Sequence, residues 1–203
     1  VGFGSDLWRA LAPDHVPVGL AAFQPIAHVG GHRAPANQHD LWLWINGNSR
    51  DVVFEHTRAA AGAIAQVATV AEETVGFVHR DSRDLTGFID GTANPELLDA
   101  PEVALVPDGL PGEGGSHVLT MRWIHNLDAF EGLPVAEQER VFGRTKPKSL
   151  ELEGEAKPAT AHIARVEIQD DQGEERPIWR RRLCSCTERT SWPSIRTAPR
   201  MTS

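Results

Sequence analysis

Hydrophobic and polar positions along the chain alternate between short apolar runs and turn-rich connections. Val1-Gly2-Phe3-Gly4 reads as the end of a buried strand entering a glycine turn, and Ser5-Asp6 then caps a short helix to about Leu11. Pro13 to Pro35 is rich in Pro, Gly and His and reads as loop. Asp40 to Asn46 is an aromatic-rich apolar run closed by Asn46-Gly47, the pattern of a core strand. Ser49 caps a helix from Arg50 to about Val67, with apolar positions at Val53, Phe54, Ala60, Ile64 and Val67. Thr69 to Val78 returns as a strand. This order fits an α+β layer with helices on one face of a mainly antiparallel sheet, as in a ferredoxin-like unit.

Further along, Glu102 to Val106 is a strand candidate, Pro107 to Ser116 a turn-rich connection, and His117 to His125 an alternating strand. Asn126 or Asp128 begins a short helix, and Pro134 begins another that runs to about Phe142 and ends at Gly143. A loop spans Arg144 to Thr160. It is followed by the stretch Ala161 to Ile168, an acidic turn at Asp170 to Glu175 and a strand candidate at Ile178 to Arg181. No internal repeat stands out.

Composition narrows the function classes. A net charge of −8 argues against a sequence-independent nucleic-acid binder, which needs a basic surface. No apolar run approaches the roughly 20 residues of a membrane span. The chain begins at Val1 and not Met, so its natural start is expected to be missing. Cys184 and Cys186 are the two cysteines, too close together for a long-loop staple and too few for a zinc site. The nine histidines show no paired helical spacing, so a metal protein built on histidine ligand pairs ranks last; His28, His32 and His39 read as solvated loop residues.

The candidate chemistry sits in Arg83-Asp84-Leu85-Thr86-Gly87-Phe88-Ile89-Asp90-Gly91-Thr92. Gly91 permits positive φ or close backbone approach. Asp90, between apolar Phe88-Ile89 and small residues, is a candidate acid or base at the edge of an apolar cavity. Asp-Gly is also a common turn dipeptide, and by itself the stretch is first a turn.

Three further stretches change that balance: Gly114-Gly115-Ser116-His117-Val118 with Arg122-Trp123; Val141 to Lys146; and His162 to Val166. Together and in this order, they resemble the dye-decolourising peroxidases, best their bacterial cytosolic branch. The resemblance runs from Val1 to about Arg181. It implies an α+β fold of two ferredoxin-like units (the dimeric α+β barrel type), with residues 1–100 as the first and 101–182 as the second. It also implies haem b (heme b, iron protoporphyrin IX), hydrogen peroxide, a small one-electron donor such as a dye or phenol, a cytoplasmic location and homo-oligomers.

The implied roles follow residue by residue. His162 matches the proximal ligand of the haem iron, where its alternative is a surface or core-edge histidine. Asp90 matches the distal aspartate that relays a proton during peroxide cleavage. Gly91, Thr92 and Ala93 match backbone packed close to the haem. Arg180 matches the distal arginine that holds developing negative charge, although Arg181 and Arg182 adjoin it and a slip of one stays open. Arg144 resembles a contact to a haem propionate.

After Arg181 the family continues with a Pro-Tyr-Gly-like turn and further strands. Here residues 183–203 are rich in Ser, Thr, Arg and Pro and read as an unrelated, disordered tail. The second unit is therefore expected to be incomplete, from a truncated or frame-shifted end. The alternative function is a catalytically inert haem-binding protein, or a decayed fragment of such a peroxidase.

Overall fold

The computed structural model describes residues 1–166, 169–173, 178–181 and 183–184. Glu167, Ile168, Arg182 and nearly all of the expected tail lie outside them. The architecture is α+β, and the described chain gathers into two compact units: 1–74 with 106–118, and 75–105 with 119–184. This grouping assigns 75–105 to the later chain, whereas the sequence-based division falls after residue 100.

In the first unit, β1 (Gly2–Phe3) pairs antiparallel with β4 (Leu41–Trp42), in the register Gly2↔Trp42 and Phe3↔Leu41. Gly4 makes the tight approach possible, because a Cβ there would stand 2.6 Å from the His39 carbonyl. Gly4 and not Ser5 caps α1 (Ser5–Leu11), leaving Asp6 to face the positive end of the helix. The expected core strand over Asp40 to Asn46 is only Leu41–Trp42 long. The expected loop at 13–35 contains a small hairpin, β2 (Ile26–Ala27) with β3 (Arg33–Ala34). Gly31, at φ 82, supplies its left-handed turn residue.

Helix α2 (Arg50–Ile64) starts at Ser49 as its pattern predicts but stops three residues short of Val67. Its partly buried face runs through Val53, Thr57, Ala60 and Ile64, at helical spacing. Phe54, expected on that face, is exposed and carries the Arg58 guanidinium 5.8 Å from its ring. No strand is described over 69–74, and at 75–78 only a bridge from Phe77 to Cys184 forms.

Among the described residues, the second unit holds four short helices. The strand expected at 102–106 is instead α3 (Ala100–Ala104). Pro101 in its first turn pre-sets helical φ and overrides the β-branched Val103. The alternating stretch 117–125 takes no regular structure, and Leu119, Met121 and Trp123 are exposed. The strand expected at 178–181 is likewise irregular. The capping signals fare better. Asn126 accepts from the Ala129 amide at the start of α4 (Leu127–Glu131). Pro134 and left-handed Gly143 bound α5 (Val135–Phe142). His162 opens α6 (His162–Val166).

The core of this unit is aromatic. Phe88, 2% exposed, stacks on Phe142 with centroids 4.0 Å apart, and Phe130 meets both rings edge-on. Lys146 Nζ lies 5.5 Å from the Phe88 ring and donates to buried Gln138 at 2.6 Å. The charge is thus held over π-faces and satisfied by an amide oxygen.

Candidate functional site

The residues around Asp90 form a narrow hairpin. Asp90 N donates to Ser82 O at 2.8 Å, Asp84 N donates to Phe88 O at 2.8 Å, and Arg83 bridges antiparallel to Ile89. Gly87 turns the closed end at φ 87, where a Cβ would meet Lys146 Cε at 2.9 Å. Arg80 and Ser82 also hold positive φ, at 44° and 64°. Such strain in non-glycine residues persists only where surrounding contacts fix it.

Arg83 supplies those contacts. Its guanidinium grips both oxygens of Asp81 and donates through Nη1 to the carbonyls of Gly87 and Lys146, at 2.8 and 2.9 Å. The hydrogen bond from Arg83 holds the Asp81 carboxyl below the usual carboxylate range. The arginine therefore joins the hairpin to the segment that follows α5.

Asp90 lies at the open end, half-buried, with Oδ1 accepting from the Thr92 amide at 3.0 Å and the Thr92 hydroxyl at 2.7 Å. It borders an open cleft of about 230 Å³ whose walls include Phe77, His79, Thr92, Arg180 and Arg181. Arg180 reaches this cleft because Asn94 pairs with its backbone at both the N–H and the carbonyl, at 2.7 and 2.8 Å. Its Nη2 donates to Val166 O at 3.0 Å. The lining thus combines the Asp90 carboxylate with Arg83, Arg180 and Arg181 and with apolar Phe77, Val78 and Leu183.

The other sequence-derived candidates lie elsewhere in this unit. A Cβ on Gly91 would stand 3.1 Å from Arg144 Nε. Arg144 donates through Nη1 to Ser149 O at 2.9 Å and faces Glu151 at 3.8 Å, while its buried Nε finds no acceptor among the described residues. Glu151 is held below the usual carboxylate range chiefly by its hydrogen bond from Lys157, with the Arg144 charge adding to that. His162 is exposed, its ring 5.8 Å from Phe142, and it does not line the cleft. Ala93 is exposed. Of the adjoining arginines, Arg181 lines the cleft and Arg182 lies outside the described residues.

His79 and Asn94 are among the residues of this site that escaped the sequence reading. His79 had no signal beyond its neighbourhood to Asp90. Asn94 stood in an Asn-Pro dipeptide that reads as a turn, and nothing local marks its partner 86 positions away.

The sequence matches the family model described as Dyp-type peroxidase, N-terminal, over residues 1–78 and that described as Dyp-type peroxidase, C-terminal, over 81–190. The second match continues past Arg181, where the resemblance was expected to stop. The chain is 40% identical over 181 residues to a dye-decolorizing peroxidase of Mycolicibacterium paratuberculosis, covering 89% of this chain and 51% of that protein. With one of Mycobacterium tuberculosis it shares 38% identity, covering 90% and 55%. Among solved structures, a variant of DypB from Rhodococcus jostii RHA1 in complex with haem superposes at TM-score 0.80 and 38% identity, over 86% of this chain and 57% of that one. A putative Dyp-type peroxidase from Shewanella oneidensis gives TM-score 0.80 at 36% identity, over 85% and 56%. The chain spans about half the length of the curated relatives it matches. The fold is the ferredoxin-like α+β type of these structures. With both family models matched along its length, the chain belongs to the Dyp-type peroxidases.

Proposed function

We propose that this chain acts as a haem-dependent peroxidase, reducing hydrogen peroxide and oxidising a small one-electron donor such as a dye or phenol. The observation that carries the reading is the meeting of Asp90 and Arg180 at one cleft, from positions far apart in sequence. Peroxide cleavage needs a proton moved between two oxygens and a positive charge near the oxygen that leaves. Asp90 and Arg180, both lining the cleft, offer a carboxylate and a guanidinium for those two tasks.

The donor set fits a haem. His162 offers an imidazole, the commonest protein ligand of peroxidase iron. Arg144 offers a buried Nε–H without an acceptor among the described residues, suited to a propionate. Gly91 lies against that guanidinium where a Cβ would intrude, and Thr92 and Ala93 continue the same backbone. The cleft of about 230 Å³ is of a size for peroxide and falls below the roughly 300–1,000 Å³ of pockets that take drug-sized ligands, so the fit to haem rests on His162, Arg144 and Gly91, which do not line it. When bound, haem supplies an iron that polarises peroxide and accepts electrons from the donor. Asp90 then holds or moves the proton, with its Oδ1 oriented by Thr92. Arg180, fixed through Asn94, supplies the positive charge. His79 and Arg181 complete the polar wall that a small substrate meets.

A second reading, a haem-binding protein without peroxidase activity, draws on the exposure of His162 and its position off the cleft wall. Peroxide-dependent dye oxidation by haem-reconstituted protein separates the two. The peroxidase reading expects turnover that falls sharply, to a measurable residual rate, in Asp90→Ala and in Arg180→Ala; no turnover in the wild-type chain favours the inert binder.

The division into an N-terminal unit and a C-terminal haem-binding unit, a cytoplasmic location and homo-oligomers belong to the same proposal, and rest on family membership. Among the described residues, no helix is long and apolar enough to cross a membrane. Cell fractionation and light scattering test location and assembly.

A further inference from the structure

The hairpin that presents Asp90 contains a second carboxylate with no part in the cleft. Asp84 is 5% exposed, and its Oδ1 accepts from the Thr86 amide at 2.8 Å, from the Thr86 hydroxyl, and from the Phe88 amide at 3.2 Å. Around it the backbone closes on itself, with Asp84 N donating to Phe88 O at 2.8 Å and Gly87 N to Asp84 O at 3.1 Å. Thr86 and Phe88 are 5% and 2% exposed, so water does not serve their amides. One oxygen answers the inward-pointing donors of the turn.

This turn fixes the pairing of everything beyond it. Once Asp84 faces Phe88, Arg83 must face Ile89 and Ser82 must accept from Asp90. Side chains alternate along the strand, so Phe88 enters the aromatic core and Asp90, two residues on, shares its face and reaches the cleft. A slip of one residue would exchange Asp90 for Ile89 on that face.

We propose that Asp84 is a positioning residue for Asp90, its Oδ1 locking the hairpin register that presents Asp90 to the cleft. The proposal rests on the peroxidase reading of Asp90. The sequence Asp84-Leu85-Thr86 repeats the spacing of Asp90-Gly91-Thr92, and both aspartates accept from the amide and the hydroxyl of the threonine two residues on. The buried copy sets the frame, and the half-buried copy meets the substrate.

Residue-resolved amide hydrogen exchange on the full chain, without haem, tests the proposal in wild type, Asp84→Ala and Asp84→Asn. In Asp84→Ala the amides of Thr86, Phe88 and Asp90 are expected to exchange roughly ten- to hundred-fold faster, with those of α5 unchanged. Asp84→Asn keeps an acceptor oxygen of the same reach and is expected to stay within about three-fold of wild type. Equal acceleration throughout the unit, or an unmoved Asp90 amide, overturns the proposal. Should Asp84→Ala not fold, Thr86→Val removes one of the donors. It is expected to give a weaker acceleration in the same local pattern, and no local change overturns the proposal.

In haem-reconstituted protein, Asp84→Ala should slow the peroxide reaction in the wild-type background but not further in Asp90→Ala. Equal slowing in both backgrounds overturns the positioning role. If Asp90→Ala alone leaves the rate unchanged, the catalytic role of Asp90 fails, while amide exchange still judges Asp84.

Discussion

Asn94 and Arg180 meet through a two-point pairing: the Asn94 side chain accepts from Arg180 N at 2.7 Å and donates to Arg180 O at 2.8 Å. The amide imitates a strand neighbour and ties the residue 180 backbone to the loop after Asp90. Asn94→Ala removes both bonds and should lower stability by about 1–2 kcal/mol, measured by urea unfolding. Asn94→Asp keeps the acceptor and should lose less. If Asn94→Ala unfolds at the wild-type midpoint, the pairing does not anchor Arg180.

The stack of Phe88 on Phe142 makes the aromatic cluster the stability centre of the second unit. Phe88→Ala should cost about 3–5 kcal/mol, as deletion of a fully buried aromatic ring does. Phe54→Ala, on an exposed ring of α2, should change stability by less than about 1 kcal/mol. Similar losses at the two positions would contradict Phe88 as the centre of the core.

Gly143 ends α5 at φ 83, and a Cβ there would lie 2.7 Å from Ile163 Cγ1 and 3.1 Å from Ala161 Cβ. Gly143→Ala therefore strains the backbone and pushes on the start of α6, where His162 stands. A loss above about 1 kcal/mol is expected. A change in the His162 ring environment, read by proton NMR, should accompany it. An unchanged His162 signal would separate the helix cap from the proposed iron ligand.

Glu151 provides a pH-dependent test. The Lys157 hydrogen bond holds its carboxyl below the ordinary value of 4.5 in the folded state. A lowered folded-state value means stability that is present above 4.5 and lost as pH falls below it. Both partners are partly exposed, so the effect should stay under about 1 kcal/mol and shrink with salt. Unfolding of Glu151→Gln across acid pH should show a flatter profile than wild type; parallel profiles would remove Glu151 from the account.

Local chemistry decided what was legible in the sequence. Pro134 and Gly143 fixed α5, and Ser49 and Asn126 marked the starts of α2 and α4, because caps act within one turn. The apolar run misled at 102–106, where Pro101 starts a helix, and alternation misled at 117–125, where the stretch stays irregular. Strand patterns name a face but not a partner, and pairing is non-local. The motif around Asp90 was readable as a turn with a carboxylate. The contacts of Asn94, Arg83 and Arg144 were not, since each depends on residues brought near by folding.

The most direct test of the proposed function is a haem titration followed by absorbance, run on the wild-type chain and on His162→Ala. A haem peroxidase with His162 as iron ligand gives a Soret band that saturates at one haem per wild-type chain and is lost in His162→Ala. No saturable band in wild type, or the same band in both proteins, would contradict this reading.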